Sequence, residues 1–212
     1  MHLLINGFAR HRLRHAGRVE AGPHPRLHLR DGSSVTIRPI VPADAPLLVD
    51  AFERLSLTSR HQRFLGSKTT LTPADLRRFT VVDHHDHEAL IALSTADGRA
   101  VGVARYVRSS GSHRRADVAV TVIDEWHRRG LAHVLVERLA GRARAAGIEE
   151  VSALIADDNT GALALLRRFP GETSVVDGGF GVTEYAIAVG RQPAKNVSNS
   201  AAISEGASSG RK

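Results

Sequence analysis

Apolar and polar residues alternate over Ser34-Val35-Thr36-Ile37-Arg38-Pro39-Ile40, and a period of two predicts a strand with one face buried. The period then lengthens. Pro42-Ala43-Asp44 opens a helix that carries Leu47, Leu48, Ala51, Phe52 and Leu55 on one face. Ser59 to Phe64 continues as a short helix. Thr72-Pro73-Ala74-Asp75 reads as a cap with proline in the first turn, leading into Leu76 and Phe79. Two strands follow, Glu88 to Thr95 and Arg99 to Arg108, joined at Ala96-Asp97-Gly98, a hairpin signal. Beyond the polar loop Ser109 to Arg115 come a strand from Asp117 to Ile123 and an amphipathic helix from Gly130 to Ala146, capped by Gly147. A strand from Val151 to Ala156, a capped helix from Thr160 to Phe169 stopped by Pro170-Gly171, and a strand from Thr183 to Val189 complete the pattern. The order β-α-α-β-β-β-α-β-α-β sets one β-α-β unit inside an otherwise antiparallel set. It predicts an α/β fold, a mixed and mostly antiparallel sheet with helices on both faces.

The two ends read differently. Residues 1–30 lack sustained periodicity and are rich in Arg, His, Gly and Pro, so a flexible basic leader is expected. Residues 191–212 have almost no large apolar groups and bury too little surface to offset their ordering entropy. A disordered tail is expected there, with one globular domain over 31–190. The net charge of +7 invites a nucleic-acid reading. No aromatic residues interleave with the leader's arginines to stack bases, so a solvated basic segment is the reading and no nucleic-acid partner is expected.

No apolar run approaches the length of a membrane span, and the short apolar start precedes its charges rather than following them. No membrane partner and a cytoplasmic location are therefore expected. The absence of cysteine from these residues excludes thiolate metal sites and a cysteine nucleophile. His84-His85-Asp86-His87-Glu88 has the composition of a metal cluster but a sequential spacing. It reads as a polar loop before a strand, and no metal is expected.

Chemistry concentrates at Trp126-His127-Arg128-Arg129-Gly130-Leu131-Ala132, which follows the apolar run Val118 to Ile123 and opens the long helix. A strand that turns at a glycine straight into a helix aims unpaired N–H groups, and the positive end of the helix, at one point. That point suits a phosphate. A glycine here also serves as a simple cap, but Arg128 and Arg129 suit phosphate oxygens, and Gly130 and Ala132 are small enough for a ligand to approach the backbone.

On these residues the stretch from about 31 to 190 resembles the Gcn5-related N-acetyltransferase (GNAT) superfamily. Its acyl-CoA signature, Gln/Arg-x-x-Gly-x-Gly/Ala, reads here as His127-Arg128-Arg129-Gly130-Leu131-Ala132, with His127 the departure. The resemblance implies acetyl-CoA as co-substrate, lying between the Val120–Val122 strand and the Val151–Ala156 strand. Its pyrophosphate would meet the backbone amides from Arg128 to Ala132, including Leu131. Its pantetheine arm would pair with Val120-Thr121-Val122 like an added strand. Asp157-Asp158-Asn159, followed by Ala162 and Leu165, matches the family's downstream pattern, so Asn159 would contact the CoA arm as well as hold a cap position. Leu166 stands where the family often has a general-acid tyrosine, and Pro170-Gly171 replaces the usual Gly-Phe.

The implied reaction is N-acyl transfer by direct attack on the thioester, with an amine acceptor that is either a small molecule or a protein lysine. The attacking amine must be neutral, and a carboxylate near the acyl carbon can take its proton. Asp117 opens the relevant strand, at a place where the superfamily commonly has Glu. The other reading, of equal weight, is a strand-end carboxylate facing Arg114 or Arg115. Glu88 and His113 rank below Asp117. Arg30-Asp31-Gly32, Val35-Thr36-Ile37-Arg38-Pro39-Ile40 and Leu55-Ser56-x-x-Ser59-Arg60-x-x-Arg63-Phe64 are similar to bacterial protein lysine acetyltransferases. Arg60 and Arg63 then either line the acceptor cleft or lie on a solvated helix face with Phe64 in the core. The rival to an enzyme is a GNAT-shaped regulatory module that binds CoA without catalysis, for which the departures at His127, Asp117, Leu166 and Pro170 argue.

Overall fold

Backbone pairing in the computed structural model, which describes residues 24–169 and 171–189, gathers every strand into one eight-stranded sheet. The elements in chain order are β1 (Arg26–His28), β2 (Ser34–Pro39), α1 (Ala45–Glu53), α2 (Leu57–Phe64), α3 (Pro73–Thr80), β3 (His87–Ser94), β4 (Ala100–Arg108), β5 (Arg115–Val122), α4 (Leu131–Ala145), β6 (Glu150–Ala156), α5 (Thr160–Leu166), β7 (Thr173–Gly179) and β8 (Val182–Ala188). The strand order is β1-β2-β3-β4-β5-β6-β8-β7. Of these neighbours only β5 and β6 run parallel. That pair is the β-α-β unit read from the sequence, with α4 as its crossover. The mixed, mostly antiparallel sheet is the fold the pattern predicts.

Local chemistry explains most boundaries. β2 alternates half-buried and buried residues along its whole length, as its sequence does. Thr72 caps α3 by accepting from Asp75 N–H, while Asp75 accepts from Thr72 N–H in return. Arg38 holds Asp44 through two hydrogen bonds of 2.7 and 2.6 Å, fixing the 3-10 turn Pro42–Asp44 ahead of α1. The helix expected from Pro42 therefore begins as a tighter turn. Gly130 is the N-cap of α4 rather than its first residue, and α5 ends at Leu166 rather than Phe169.

Two strands escaped the sequence reading. β1 lies within residues 1–30 and pairs antiparallel with β2, so the sheet starts before residue 31. The rest of the expected leader up to residue 23, and the expected tail over 191–212, lie outside the described residues. β7 is exposed at every position, so it has no inward apolar face to generate a period of two.

The sheet has a helix layer on each face. Val118 and Val120 of β5 face α4 and α5, whereas Ala119 and Thr121 face a cleft walled by residues of α1, α2 and α3. α4 buries Leu131, Leu135, Leu139, Ala140 and Ala143. Glu88 anchors this layer: fully buried on β3, it accepts from Arg142 of α4 at 2.9 Å and pairs with His84 at 2.8 Å. No helix of the described residues is long and apolar enough to cross a membrane.

α4 lies tightly on the sheet at Gly102 of β4. A Cβ there would sit 3.0 Å from Leu135 Cδ1, 3.3 Å from Leu131 Cδ2 and 3.2 Å from Thr121 O. Gly102→Val should therefore overpack this contact and destabilise the protein by about 1–3 kcal/mol. Thermal denaturation checks this, and an unchanged Tm would mean the helix does not rest on the sheet at this point.

Candidate active site

β5 and β6 hydrogen-bond over a short stretch and then part. Their register covers Arg115 with Glu150, Ala116 with Val151 and Asp117 with Ser152, and stops there. From Val118 onward β5 keeps its ladder with β4, and β6 keeps its ladder with β8. One edge of each strand is thus left without a strand partner across a widening gap.

The amides on the β5 edge can be assigned. Ile123 N–H donates across to Val101 O of β4, and successive residues of a strand alternate sides. Val122, Val120 and Val118 therefore turn their N–H and C=O groups into the gap. Thr121 belongs to the other set, with its backbone groups on the β4 ladder and its side chain in the cleft on the α1–α3 side. Of the three residues expected to pair with a pantetheine arm, the geometry presents the backbones of Val120 and Val122 but not that of Thr121.

The turn at the gap's wide end is built for exposed amides. Gly130 has φ +88, and a Cβ there would meet nothing within 4 Å, so the space above the turn is open. Arg128 also lies in the left-handed region at φ +61, a conformation that costs a non-glycine residue free energy and concentrates at functional sites. No side chain caps α4, and its first backbone bond runs from Val134 N–H to Gly130 O at 3.3 Å. The N–H groups ahead of that bond lack helix partners and sit at the positive end of a 15-residue helix. Concave turns of this kind bind anions.

The side chains of the turn divide in role. Arg128 is exposed. Arg129 is engaged: it donates to Glu125 O at 2.8 Å, pairs with Asp31 at 3.0 Å and stacks on Trp126 at 4.9 Å. Leu131 is a core residue and Ala132 packs against the core, so these two offer the turn only backbone. His127, the unusual residue of the motif, places Nε2 2.8 Å from Val122 O. A carbonyl can only accept, so this contact fixes the proton on Nε2. Burial holds the imidazole below its ordinary pKa, which favours its neutral form. Asn159, 2 % exposed at the end of β6, accepts from Ala162 N–H at 3.0 Å and caps α5.

Asp117 sits where the two strands part, half-buried, with its carboxyl pushed up to about 6 by burial and then by the nearby charge of Glu184. Glu184, on β8, accepts from Ser152 Oγ at 2.6 Å. The expectation that Asp117 faces Arg114 or Arg115 is not met: Arg114 pairs with Glu149 at 3.2 Å and Arg115 with Glu150 at 2.9 Å. Those partners follow the turn after α4, invisible in a linear reading. Glu88 is committed to Arg142 and His84 on the opposite face, and His113 lies exposed in the Ser109–Arg115 loop. Of the three candidates Asp117, Glu88 and His113, Asp117 is therefore the one that the geometry places at the fork, with Glu184 as its acidic neighbour.

Other contacts were not legible. Asp124, just after β5, accepts from Ser56 N–H at 3.0 Å, Ser56 Oγ at 2.8 Å and Ser59 Oγ at 2.8 Å. Gln62 of the same helix α2 reaches Asp158, just after β6, at 3.5 Å. Arg63 of α2 is buried and lines the cleft beside Asp117's face, so the solvated-face reading fails for it. Arg60 instead donates to Leu55 O and Glu53 O, 3.0 Å each. Arg105, a buried arginine within the apolar run of β4, lines the same cleft. Its apolar neighbours in sequence were the signal for it. In the histidine cluster the side chains go separate ways, His84 to Glu88 and His85 to Asp86. Among the described residues no group of three or more His, Asp or Glu is placed to hold a metal ion.

Comparison with known proteins gives the site a context. A family model described as the acetyltransferase (GNAT) family matches residues 54–169. An acetyltransferase of Pseudomonas aeruginosa is 34% identical over 132 residues, 61% of this chain and 70% of that protein. The acetyltransferase Pat of Mycolicibacterium smegmatis is 28% identical over 133 residues, 63% of this chain but only 40% of that longer protein. Among solved structures, the GNAT domain of S. lividans PAT superposes with a TM-score of 0.71 at 28% identity, covering 78% of this chain and 96% of that one. The yncA protein of Salmonella typhimurium, solved with its cofactor acetyl-CoA, shares the fold with a TM-score of 0.59 at 19% identity, covering 77% of this chain and 98% of that one.

The raised Asp117 has a consequence for stability. In the unfolded chain its carboxyl ionises near 3.8, in the fold near 6. Folding is thus disfavoured progressively as pH rises from about 4 to 6, and the cost persists above that. Asp117→Asn should leave Tm unchanged near pH 4 and raise it at pH 7.5. For a partly exposed group the gain is on the order of 1 kcal/mol, or roughly 2–4 °C. A lower Tm at pH 7.5 would show that the carboxylate is a structural anchor instead.

Proposed function

We propose that this chain, which belongs to the acetyltransferase (GNAT) family, transfers an acetyl group from acetyl-CoA to an amine, with Asp117 as the base. The observation that carries the reading is the fork between β5 and β6, with a backbone edge that no strand pairs, its uncapped helix end and its raised carboxyl. The donor's pyrophosphate meets the N–H groups of the turn from Arg128 to Ala132. Its pantetheine arm lies along the edges of Val120 and Val122, hydrogen-bonded as an added strand would be. The thioester then rests near the point of the fork, close to Asp117.

An ammonium has no lone pair, so the acceptor must lose a proton before attack. Asp117, ionised above about pH 6, accepts the proton that this neutral amine sheds as the new carbon–nitrogen bond forms, directly or through one water. The nitrogen bonds to the acyl carbon, the carbon–sulfur bond breaks, and the leaving thiolate takes a proton from water. Leu166, which packs against the core, has no proton to give. His127 has a positioning role in this scheme. By holding Val122 O it steadies the last gap-facing peptide of β5, and as a neutral donor it adds no charge next to the amides that bind the donor.

The acceptor is an amine of either kind, small molecule or protein lysine. The similarity of residues 30–64 to bacterial protein lysine acetyltransferases supports the second.

Incubation with labelled acetyl-CoA and a cell lysate should move label into amine-bearing small molecules or into protein. Asp117→Ala should lower kcat by about 10²–10⁴-fold and leave the Kd for CoA unchanged. The rate per neutral amine should rise tenfold per pH unit below about 6 and level off above it, and the variant should lose that limb. Tight CoA binding with no acylation of any amine would instead identify a non-catalytic CoA-binding module.

A further inference from the structure

The face of the sheet that carries Asp117 also carries a cleft of about 550 Å³, counting the solvent it opens onto. Its walls are mostly apolar and include Phe52, Phe64 and Phe79. Two arginines line it, Arg63 at 8% exposed and Arg105 at 4%. Arg105 donates to Phe79 O at 3.2 Å, lies 3.4 Å from His87 Nε2 and stacks 4.6 Å from the Phe79 ring. Arg63 stacks 4.9 Å from the Phe64 ring. Among the described residues no carboxylate is within ion-pair distance of either guanidinium. The acid held nearby is already paired, Asp75 with Lys68 and Arg78.

A guanidinium taken out of water without an anion is expensive, and two that repel each other are more so. Burial, reinforced by neighbouring arginine charge, pulls Arg105 down to about 9 and Arg63 down to about 10. Aromatic stacking and a single carbonyl offset part of this cost but supply no negative charge. What the cleft lacks is a planar oxyanion, the partner that the guanidinium fork fits best.

We propose that the cleft receives the acceptor and that Arg63 and Arg105 bind a carboxylate carried by it, so that the substrate is an amino carboxylate rather than a plain amine. This rests on the N-acetyltransferase reading above. Arg105 is the cross-strand partner of Ala119, and Val107, two residues on, is the partner of Asp117. Arg105 and Asp117 are thus diagonal neighbours on one face, with Cα atoms roughly 7–8 Å apart. The Arg105 side chain extends away toward Phe79. An amine at Asp117 and a carboxylate at the arginines are therefore separated by an apolar stem, which the phenylalanine wall accommodates. A free ω-amino acid has this form, and so does a protein lysine with an acidic side chain beside it.

Two matched pairs test the proposal on the full chain with acetyl-CoA: 6-aminohexanoate against hexylamine, and a lysine peptide with a neighbouring Glu against the same peptide with Gln. The carboxylate member of at least one pair should have a KM lower by about tenfold or more, and the pair that discriminates identifies the source. In Arg63→Gln and Arg105→Gln the preference should vanish, with the Kd for acetyl-CoA unchanged. Arg63→Gln removes an unpartnered buried charge, so its ligand-free Tm should rise, which separates lost recognition from misfolding. Binding is read without turnover as well: the preferred carboxylate should raise the Tm of the unaltered protein but not that of Arg63→Gln. Equal KM values within both pairs, with no Arg63-dependent Tm shift, would overturn the anion site and leave the acetyltransferase reading intact. Arg63-dependent binding with no acetylation of any amine would uphold the site and sink the catalytic reading.

Discussion

Three residue pairs join β5 to β6, and the functional region depends on the pairing ending there. Had the ladder continued past Asp117, the gap-facing amides of Val118, Val120 and Val122 would be consumed by the sheet, and the turn before α4 would face a closed edge. Because it ends, a strand edge and a helix terminus, both normally satisfied within a fold, converge on one space. The rest of the molecule holds the fork open. The long β4 ladder fixes β5 on its other side, β8 does the same for β6, and Glu88 ties the last turn of α4 to β3.

This arrangement explains which features a linear reading reaches. The amphipathic period of α4, the alternation of β2 and the capping box at Thr72 are local, and each is visible in a few consecutive residues. The turn at His127 to Ala132 is local too, so its glycine and its place between strand and helix could be read directly. What stayed hidden is set by cross-strand neighbours. Glu184 shifts Asp117 from 67 positions away along the chain. The partners of Arg114 and Arg115 arrive only after α4 has crossed the sheet. β7 left no trace because an edge strand that faces water on both sides has no hydrophobic period to write. Thr121 shows the finer limit: its neighbours announce a strand, but only register decides that its amides serve β4 while those of Val120 and Val122 do not.

The site is also where the fold tolerates cost. Asp117 is a carboxyl that burial makes reluctant to ionise, and Arg63 and Arg105 are buried cations. Elsewhere the polar interior is well matched, as in Arg38 with Asp44 and Arg108 with Asp86. Unmatched groups are therefore not a general looseness of this core. They cluster on the fork and on the cleft beside it, as expected where function rather than stability selects the residue.

Helix α2 touches the loop after β5 through Ser56 and Ser59, reaches the loop after β6 through Gln62, and sends Arg63 into the cleft. One short helix thus forms a shared wall between the two compartments of the protein. A change on α2 that reshapes the cleft also disturbs the clasp on Asp124, and with it the mouth of the neighbouring gap. The two compartments are therefore coupled mechanically at α2, through one set of side chains.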